Sequence, residues 1–152
     1  MRVYVESVWD CDPDYCWDRV QQSATLVRIA WPLIALRPVG AAEFPPRWTE
    51  GATIECGLLL FNVVPLGVRR LCFESIDDRL REIQTRESDP VVRRWDHLIR
   101  VEPADGGRTR YSDTIEVEAG ALTPLVWLFA KLFYRYRQRR WRAIVAEAHD
   151  CR

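Results

Sequence analysis

Residues 123–148 read TPLVWLFAKLFYRYRQRRWRAIVAEA, the longest helical pattern in the chain. Thr123 followed by Pro124 suits the cap and the first turn of a helix. At about 100° per residue, the pattern predicts one apolar and unusually aromatic face. That face comprises Leu122, Leu125, Val126, Phe129, Phe133, Tyr136 and Ile144, with Lys131, Arg135, Gln138 and Arg142 on the opposite side. The stretch therefore predicts a long amphipathic C-terminal helix.

Strand patterns separated by turn signals precede this helix. They cover residues 3–8, 33–39, 54–61, 68–76, 80–87, 92–101 and 108–117. Asp12 and Pro13 predict the start of a short helix that reaches about Gln22, and residues 41–51 predict a loop. The close spacing of the turns indicates an antiparallel meander. We predict an α+β fold in which a curved antiparallel β-sheet of about six to seven strands wraps around the C-terminal helix. Residues 1–152 are expected to form one domain.

The composition is that of an ordinary globular chain. Of its 152 residues, 48% are hydrophobic, and 22 basic residues balance 22 acidic ones. This composition argues against disorder, and the zero net charge counts against a nucleic-acid partner. The charge is segregated, since residues 131–142 hold six basic residues and no acid, whereas residues 1–18 hold five acids and one arginine. Cations near the end of a helix favour its dipole, so the basic segment does not require a nucleic acid.

The N-terminus and the cysteines indicate a cytoplasmic protein. No secretory leader is visible, and the apolar stretch 122–134, 13 residues long and interrupted by Lys131, is too short to cross a bilayer. Five cysteines, an odd number, favour reduced thiols. Cys11, Cys16 and the two histidines do not complete a metal-binding set, so we expect no metal and no cofactor.

Five short stretches resemble a known superfamily. They are FPPRW at residues 44–48 with Gly51, PLG at 65–67, WDH at 95–97, YSD at 111–113 and FYRYRQRRW at 133–141. With the order of elements, they resemble bacterial members of the START/SRPBCC superfamily, which includes the birch-pollen-allergen-like proteins and the polyketide cyclase/dehydrase family. The resemblance implies a helix-grip fold with a deep pocket between sheet and long helix, generally holding a hydrophobic or aromatic small molecule. The small helix pair of that fold is expected to be reduced here.

Side-chain parity orients the last two strands. One face holds Trp95, His97, Ile99 and Val101 with Tyr111, Asp113, Ile115 and Val117; the other holds Arg94, Asp96, Arg100, Arg110, Ser112, Glu116 and Glu118. Because the charged set faces water, the first set is expected to face the helix. The turn at residues 105–107 makes the strands neighbours, so His97 and Asp113 are predicted to lie within side-chain reach.

The predicted His97–Asp113 pair has three interpretations. The two side chains satisfy each other's hydrogen bonds in the core, they orient the polar end of a ligand, or the histidine acts as a general base. No Ser or Cys at a recognisable nucleophile turn accompanies the pair, which weakens the catalytic interpretation. His97 and Asp113 are the catalytic candidates.

Two arginines fall on or beside the apolar face of the helix. Arg140 is in line with Leu122 and Phe133, and Arg137 lies at the edge. An inward-facing charge needs a partner, and Asp113 or an anionic ligand group would serve. Alternatively, such an arginine lies along apolar surface and reaches water near the helix end.

Two apolar features remain without a role. Trp127, Tyr134 and Trp141 recur every seven residues and form a ridge about 100° from the apolar face. This aromatic ridge packs against a sheet edge or the N-terminal segment, or it serves dimerisation or membrane contact. The apolar turn 62–67 either rims a pocket entrance or folds onto the end of the sheet.

The favoured function is the binding of a hydrophobic or aromatic small molecule, lipid-like or polyketide-like. The predicted ligand-binding residues are Trp48, Trp95, His97, Tyr111, Asp113, Phe129, Phe133, Tyr136, Arg137 and Arg140. The first alternative is a cyclase or dehydratase in which His97 moves protons, Asp113 orients it, and Tyr111 or Arg137 stabilises an enolate oxygen. The second alternative is a membrane- or protein-interaction module. The chain is expected to be a monomer or homodimer, with peripheral membrane contact left open.

Overall fold

The computed structural model describes the backbone of residues 1–150 and the side chains of residues 1–147. Seven strands form one antiparallel sheet in the order β1-β7-β6-β5-β4-β3-β2. They are β1 (Arg2–Trp9), β2 (Ile34–Pro38), β3 (Thr53–Leu60), β4 (Val64–Asp77), β5 (Glu82–Ser88), β6 (Arg94–Ala104) and β7 (Arg108–Glu118). Helices α1 (Pro13–Val20) and α2 (Ser23–Ala30) connect β1 to β2, and α3 (Thr123–Asp150) follows β7. The predicted α+β architecture is confirmed.

The parity of β6 and β7 is as predicted, with one exception. Trp95, His97, Tyr111 and Asp113 are all buried on the face toward α3. Ser112, expected to face water, is also buried. Every second side chain of these two strands therefore points into the space between sheet and helix.

The N-terminal helix pair is complete, which corrects the expectation that it is reduced. The Asp12 side chain caps α1, accepting bonds from the backbone N–H groups of Asp14 and Tyr15, as the cap-and-proline pattern predicts. The unpredicted α2 has no side-chain cap at Gln22. It is stabilised by packing against α3 and β2 instead, and its sequence lacks the capping signal that revealed α1.

The cysteines depart from the prediction of reduced thiols. Cys11 and Cys16 form a disulfide across the start of α1, while Cys56 and Cys72 are free. Cys151 and the side chain of His149 lie outside the described residues.

The buried face of α3 is not the predicted one. Buried positions include Ala130, Tyr134, Gln138, Trp141 and Val145, a set centred about 100° from the predicted apolar face. Of the predicted face, Ile144 is buried, whereas Leu122 and Leu125 are 50% and 66% exposed.

One further expectation is corrected by this rotation, since Gln138, predicted on the solvent side, is buried. Of the two interpretations of the aromatic ridge, the structure favours packing against the sheet and the N-terminal segment, because Tyr134 and Trp141 belong to the core and the Trp127 indole donates to the Arg2 carbonyl at 2.8 Å. Over the described residues, no helix is long and apolar enough to cross a bilayer.

The connection between β3 and β4 is shorter than the predicted turn 62–67. β3 ends at Leu60 and β4 begins at Val64, and Phe61 and Asn62 adopt φ values of 50° and 59°. Val63 is 76% exposed, so this apolar hairpin projects into solvent rather than folding onto the sheet.

Candidate functional site

A cavity of about 470 Å³, here called the large cavity, lies between the sheet, α2 and α3. Its walls are mainly aliphatic and aromatic side chains from five strands and two helices. They include Leu26, Ala30, Ile34, Leu36, Cys56, Leu58, Leu60, Leu71, Val92, Trp95, Val126, Phe129, Phe133 and Tyr134. Burial raises the pKa of the Cys56 thiol to about 12, so this group remains a protonated, apolar part of the wall.

The large cavity opens between the β3–β4 hairpin and the first turns of α3. Leu66 on β4 and Leu125 on α3 both line it, and they are 44% and 66% exposed. The apolar face predicted for α3 therefore lines the large cavity and its opening, rather than packing against the sheet.

One side of the large cavity is polar. Arg69 donates from Nε and Nη2 to Asp89 Oδ2 at 3.1 and 2.7 Å, and its Nη1 lies 3.7 Å from Glu87 Oε2. The Arg69 guanidinium covers the Trp95 ring at 4.6 Å, and the Thr85 hydroxyl donates to Glu87 at 3.0 Å. The acidic side chains are thus already bonded to donors of the protein.

Arg137 lies at the boundary between the large cavity and a second, small cavity of about 50 Å³. The small cavity is lined by Trp48, His97, Tyr111 and Trp141, among others, and shares Leu26, Leu71, Glu87 and Arg137 with the large one. The Arg137 guanidinium lies 4.8 Å from the centre of the Tyr134 ring and 5.7 Å from that of Phe133. Burial lowers the pKa of Arg137, but the charges of nearby groups including Asp113 outweigh it, so the side chain stays charged.

His97 and Asp113 belong to a buried hydrogen-bond network beneath the small cavity. His97 Nε2 lies 2.8 Å from Asp113 Oδ1, across the diagonal that the strand register provides. The Tyr111 hydroxyl donates to the same oxygen at 3.1 Å, and Gln138 Nε2 donates to Oδ2 at 2.9 Å. Gln138 also donates to the Val5 carbonyl at 3.0 Å. The network joins α3 to β1, β6 and β7.

The charge state of Asp113 follows from these contacts. Burial alone raises the pKa of this carboxyl, but the hydrogen bond and charge of His97, the charge of Arg137 and the bond from Gln138 together hold it below its usual value. The ionised carboxylate accepts, so Nε2 of His97 carries the proton that it donates. Burial also raises the pKa of Tyr111 well above its ordinary value, and this phenol stays a neutral donor.

The lowered pKa of Asp113 predicts an acid-dependent part of the stability. A carboxyl whose pKa is depressed by folding stabilises the protein fully above its unfolded pKa of about 3.9, and this contribution is lost as the pH falls through the folded value. We expect wild type to be more stable than Asp113→Asn at neutral pH, and the difference to narrow below about pH 4. Urea unfolding of both proteins from neutral pH to below pH 4 measures the difference in their free energies of unfolding. If that difference did not depend on pH, Asp113 would not be ionised in the folded protein.

The predicted site residues are distributed unevenly. Trp95, Phe129 and Phe133 line the large cavity, Trp48, His97 and Tyr111 line the small one, and Arg137 lines both. Asp113 lies behind His97, is fully buried and lines neither cavity.

Tyr136 and Arg140 also line neither cavity. The Tyr136 hydroxyl donates to the Trp31 carbonyl at 2.6 Å, which ties α3 to the end of α2. Arg140 is half-buried, and within the described residues its Nε has no partner. Ligand contacts of these two residues stay predictions.

Sequence reasoning missed several polar residues of the site. Parity orients only the last two strands, so Arg69 on β4 and Glu87 on β5 have no predicted side-chain direction, and Gln138 stands between two arginines. A signal for Gln138 was present, because Tyr134, Gln138 and Trp141 are spaced to share one helix face. No group of three or more His, Cys, Asp or Glu side chains in the described part of the chain is placed to hold a metal ion.

The sequence matches one family, described as "Domain of unknown function (DUF8410)", over residues 7–145. No curated protein matches it.

Solved structures with the START/SRPBCC fold align over nearly the whole chain. A START superfamily protein from Mycobacterium smegmatis has a TM-score of 0.68 at 12% identity, covering 96% of this chain and 97% of its own. The Zhui aromatase/cyclase from Streptomyces sp. R1128 has a TM-score of 0.63 at 17% identity, with coverages of 98% and 93%. TTHA0849 from Thermus thermophilus has a TM-score of 0.69 at 16% identity, with coverages of 97% and 99%. These likenesses establish the shared fold.

Proposed function

The chain belongs to the DUF8410 family and has the helix-grip fold of the START/SRPBCC superfamily, and from this premise we propose that it binds a hydrophobic small molecule in the large cavity. The observation that carries the proposal is the cavity itself, about 470 Å³ of space behind aliphatic and aromatic walls. Ligand sites of drug-sized molecules occupy about 300–1,000 Å³ and are lined in this way.

The mouth of the large cavity supports the same proposal. Leu66 and Leu125 leave apolar surface exposed where the cavity meets solvent, and the neighbouring Phe61 and Val63 extend that surface along the hairpin. An apolar rim allows a ligand to leave water progressively while it enters.

The contacts of the His97–Asp113 pair favour binding over catalysis. Asp113 accepts three hydrogen bonds from protein donors and is fully buried, so its oxygens serve the core network. His97 reaches only the small cavity, whose 50 Å³ would hold one end of a substrate. The pair therefore fits a structural role beneath the ligand, and the large cavity holds the ligand body.

The proposal is tested with N-phenyl-1-naphthylamine, an uncharged dye whose fluorescence rises in apolar surroundings. Wild type is expected to bind the dye. In Leu58→Trp, a larger side chain on β3 occupies part of the large cavity, and binding is expected to weaken by roughly tenfold or more. Fluorescence titration gives both dissociation constants.

Val68→Trp is the matched control, because Val68 lies on the neighbouring strand, is exposed and is not part of the cavity wall. It is expected to leave the dissociation constant within about twofold of wild type, and thermal melting checks that both variants fold. If wild type does not bind the dye, or if both tryptophans weaken binding equally, the large cavity is not a ligand site.

A further inference from the structure

Arg137 is a buried cation whose Nε donor has no partner among the described residues. Its side chain is 5% exposed. None of the ion pairs formed by described side chains includes it. Its contacts are with the faces of Tyr134 and Phe133. A buried guanidinium in this state is costly unless an acceptor completes it.

Trp141 supplies a second unused donor at the same place. It is 1% exposed, its indole N–H also lacks a partner among the described residues, and like Arg137 it lines the small cavity. Two donors that have no partner among the described residues thus line the same small cavity, which indicates an acceptor that belongs there.

The protein's own acids are committed elsewhere. Glu87 lies on the same boundary, but it is bonded to Thr85 and paired with Arg69. Asp113 accepts from His97, Tyr111 and Gln138. Within the described residues, no ion pair balances the charge of Arg137 and its Nε–H has no partner, so this donor can serve a ligand.

Resting on the proposed function, we propose that the natural ligand is an amphipathic organic acid, whose carboxylate enters the small cavity and whose apolar body fills the large cavity. The 50 Å³ of the small cavity exceeds the roughly 10–15 Å³ that one water requires, so it accommodates a group of carboxylate size. Arg137 presents a planar fork of donors that matches a carboxylate, and Trp141 adds one more. The lining that the two cavities share at Arg137, Leu26 and Leu71 joins the polar end to the apolar end.

The test compares decanoate with decan-1-ol, which share a chain and differ in the head group. Each competes with N-phenyl-1-naphthylamine for wild type at neutral pH, where the acid is ionised. Decanoate is expected to bind about tenfold or more tightly than the alcohol, since charge-assisted bonds are the strong ones. An apolar cavity without an anion site would prefer the alcohol, because a buried, unpaired carboxylate is unfavourable.

Two variants test whether Arg137 and Trp141 cause the preference for decanoate over decan-1-ol. Arg137→Met keeps an unbranched stem of four heavy atoms and removes the guanidinium charge. It is expected to lower decanoate affinity by about tenfold to one-hundredfold while decanol affinity changes little. Trp141→Phe removes the indole N–H and is expected to weaken decanoate binding by a few-fold. Arg139→Met removes the same charge at an exposed position of α3 and is the control.

The outcomes separate the inference from the proposed function. If wild type binds the dye but does not prefer decanoate to decanol, the large cavity is a ligand site and the acid proposal is wrong. If Arg139→Met and Arg137→Met reduce the preference equally, the effect is long-range charge and the proposal is again wrong. The wild-type comparison decides the matter even if Arg137→Met does not fold.

Discussion

Asp113→Ala is expected to lower the free energy of unfolding by about 3–5 kcal/mol. The substitution leaves three donors facing an empty space: the imidazole N–H of His97, the hydroxyl of Tyr111 and the amide of Gln138. Asp113 is fully buried, so water does not replace the lost acceptor. Since Gln138 also binds the Val5 carbonyl, loosening it separates α3 from β1 as well as from β7.

Urea unfolding followed by circular dichroism measures this change. Glu116→Ala is the control, because Glu116 lies on the same strand but on the outer face, where it pairs with Arg94 at 2.6 Å with about half of its side chain exposed. That exposed pair is expected to contribute at most about 1 kcal/mol. Equal losses in the two variants would show that the buried network adds nothing beyond an ordinary ion pair.

The elements that could be predicted from the sequence carry strong local signals. Asp12 with Pro13 and Thr123 with Pro124 mark where α1 and α3 begin. The Asp12 side chain caps α1 as predicted, whereas the Thr123 hydroxyl bonds the backbone of the connection from β7, so the predicted cap of α3 is wrong and the proline is the signal that holds there. Parity on β6 and β7 places His97 beside Asp113, since each strand is apolar on one face and charged on the other. No comparable cap marks α2, which packing against α3 stabilises.

The orientation of α3 could not be predicted, because hydrophobicity alone does not distinguish a helix face that packs against the sheet from one that lines a cavity. Phe129 and Phe133 are apolar and line a void, whereas Gln138 and Arg137 are polar and buried. Gln138 is buried because its amide donates a hydrogen bond to Asp113, which lies on a strand 25 positions earlier. Such compensation depends on tertiary contacts that a helical pattern does not contain.

Trp141→Ala is expected to lower the free energy of unfolding by about 3–5 kcal/mol, because it opens a cavity among stacked rings. The Trp141 ring lies 4.9 Å from that of Trp9 and 5.5 Å from that of Tyr111, and the side chain is 1% exposed. These rings join α3 to the two adjacent strands β1 and β7, where little backbone movement is available to refill the space.

Leu125→Ala provides the contrast that tests the orientation of α3. Leu125 belongs to the apolar face predicted from the sequence, yet it is 66% exposed at the cavity mouth, so its truncation is expected to change the free energy of unfolding by about 0.5 kcal/mol or less. Chemical denaturation of Trp141→Ala and Leu125→Ala measures the two changes in the free energy of unfolding. If Leu125→Ala proved the more damaging, α3 would present the predicted face to the sheet, and Arg137, Gln138 and Trp141 could not meet in the site described above. The two truncations therefore test, through stability alone, the helix orientation on which the binding of an acid depends.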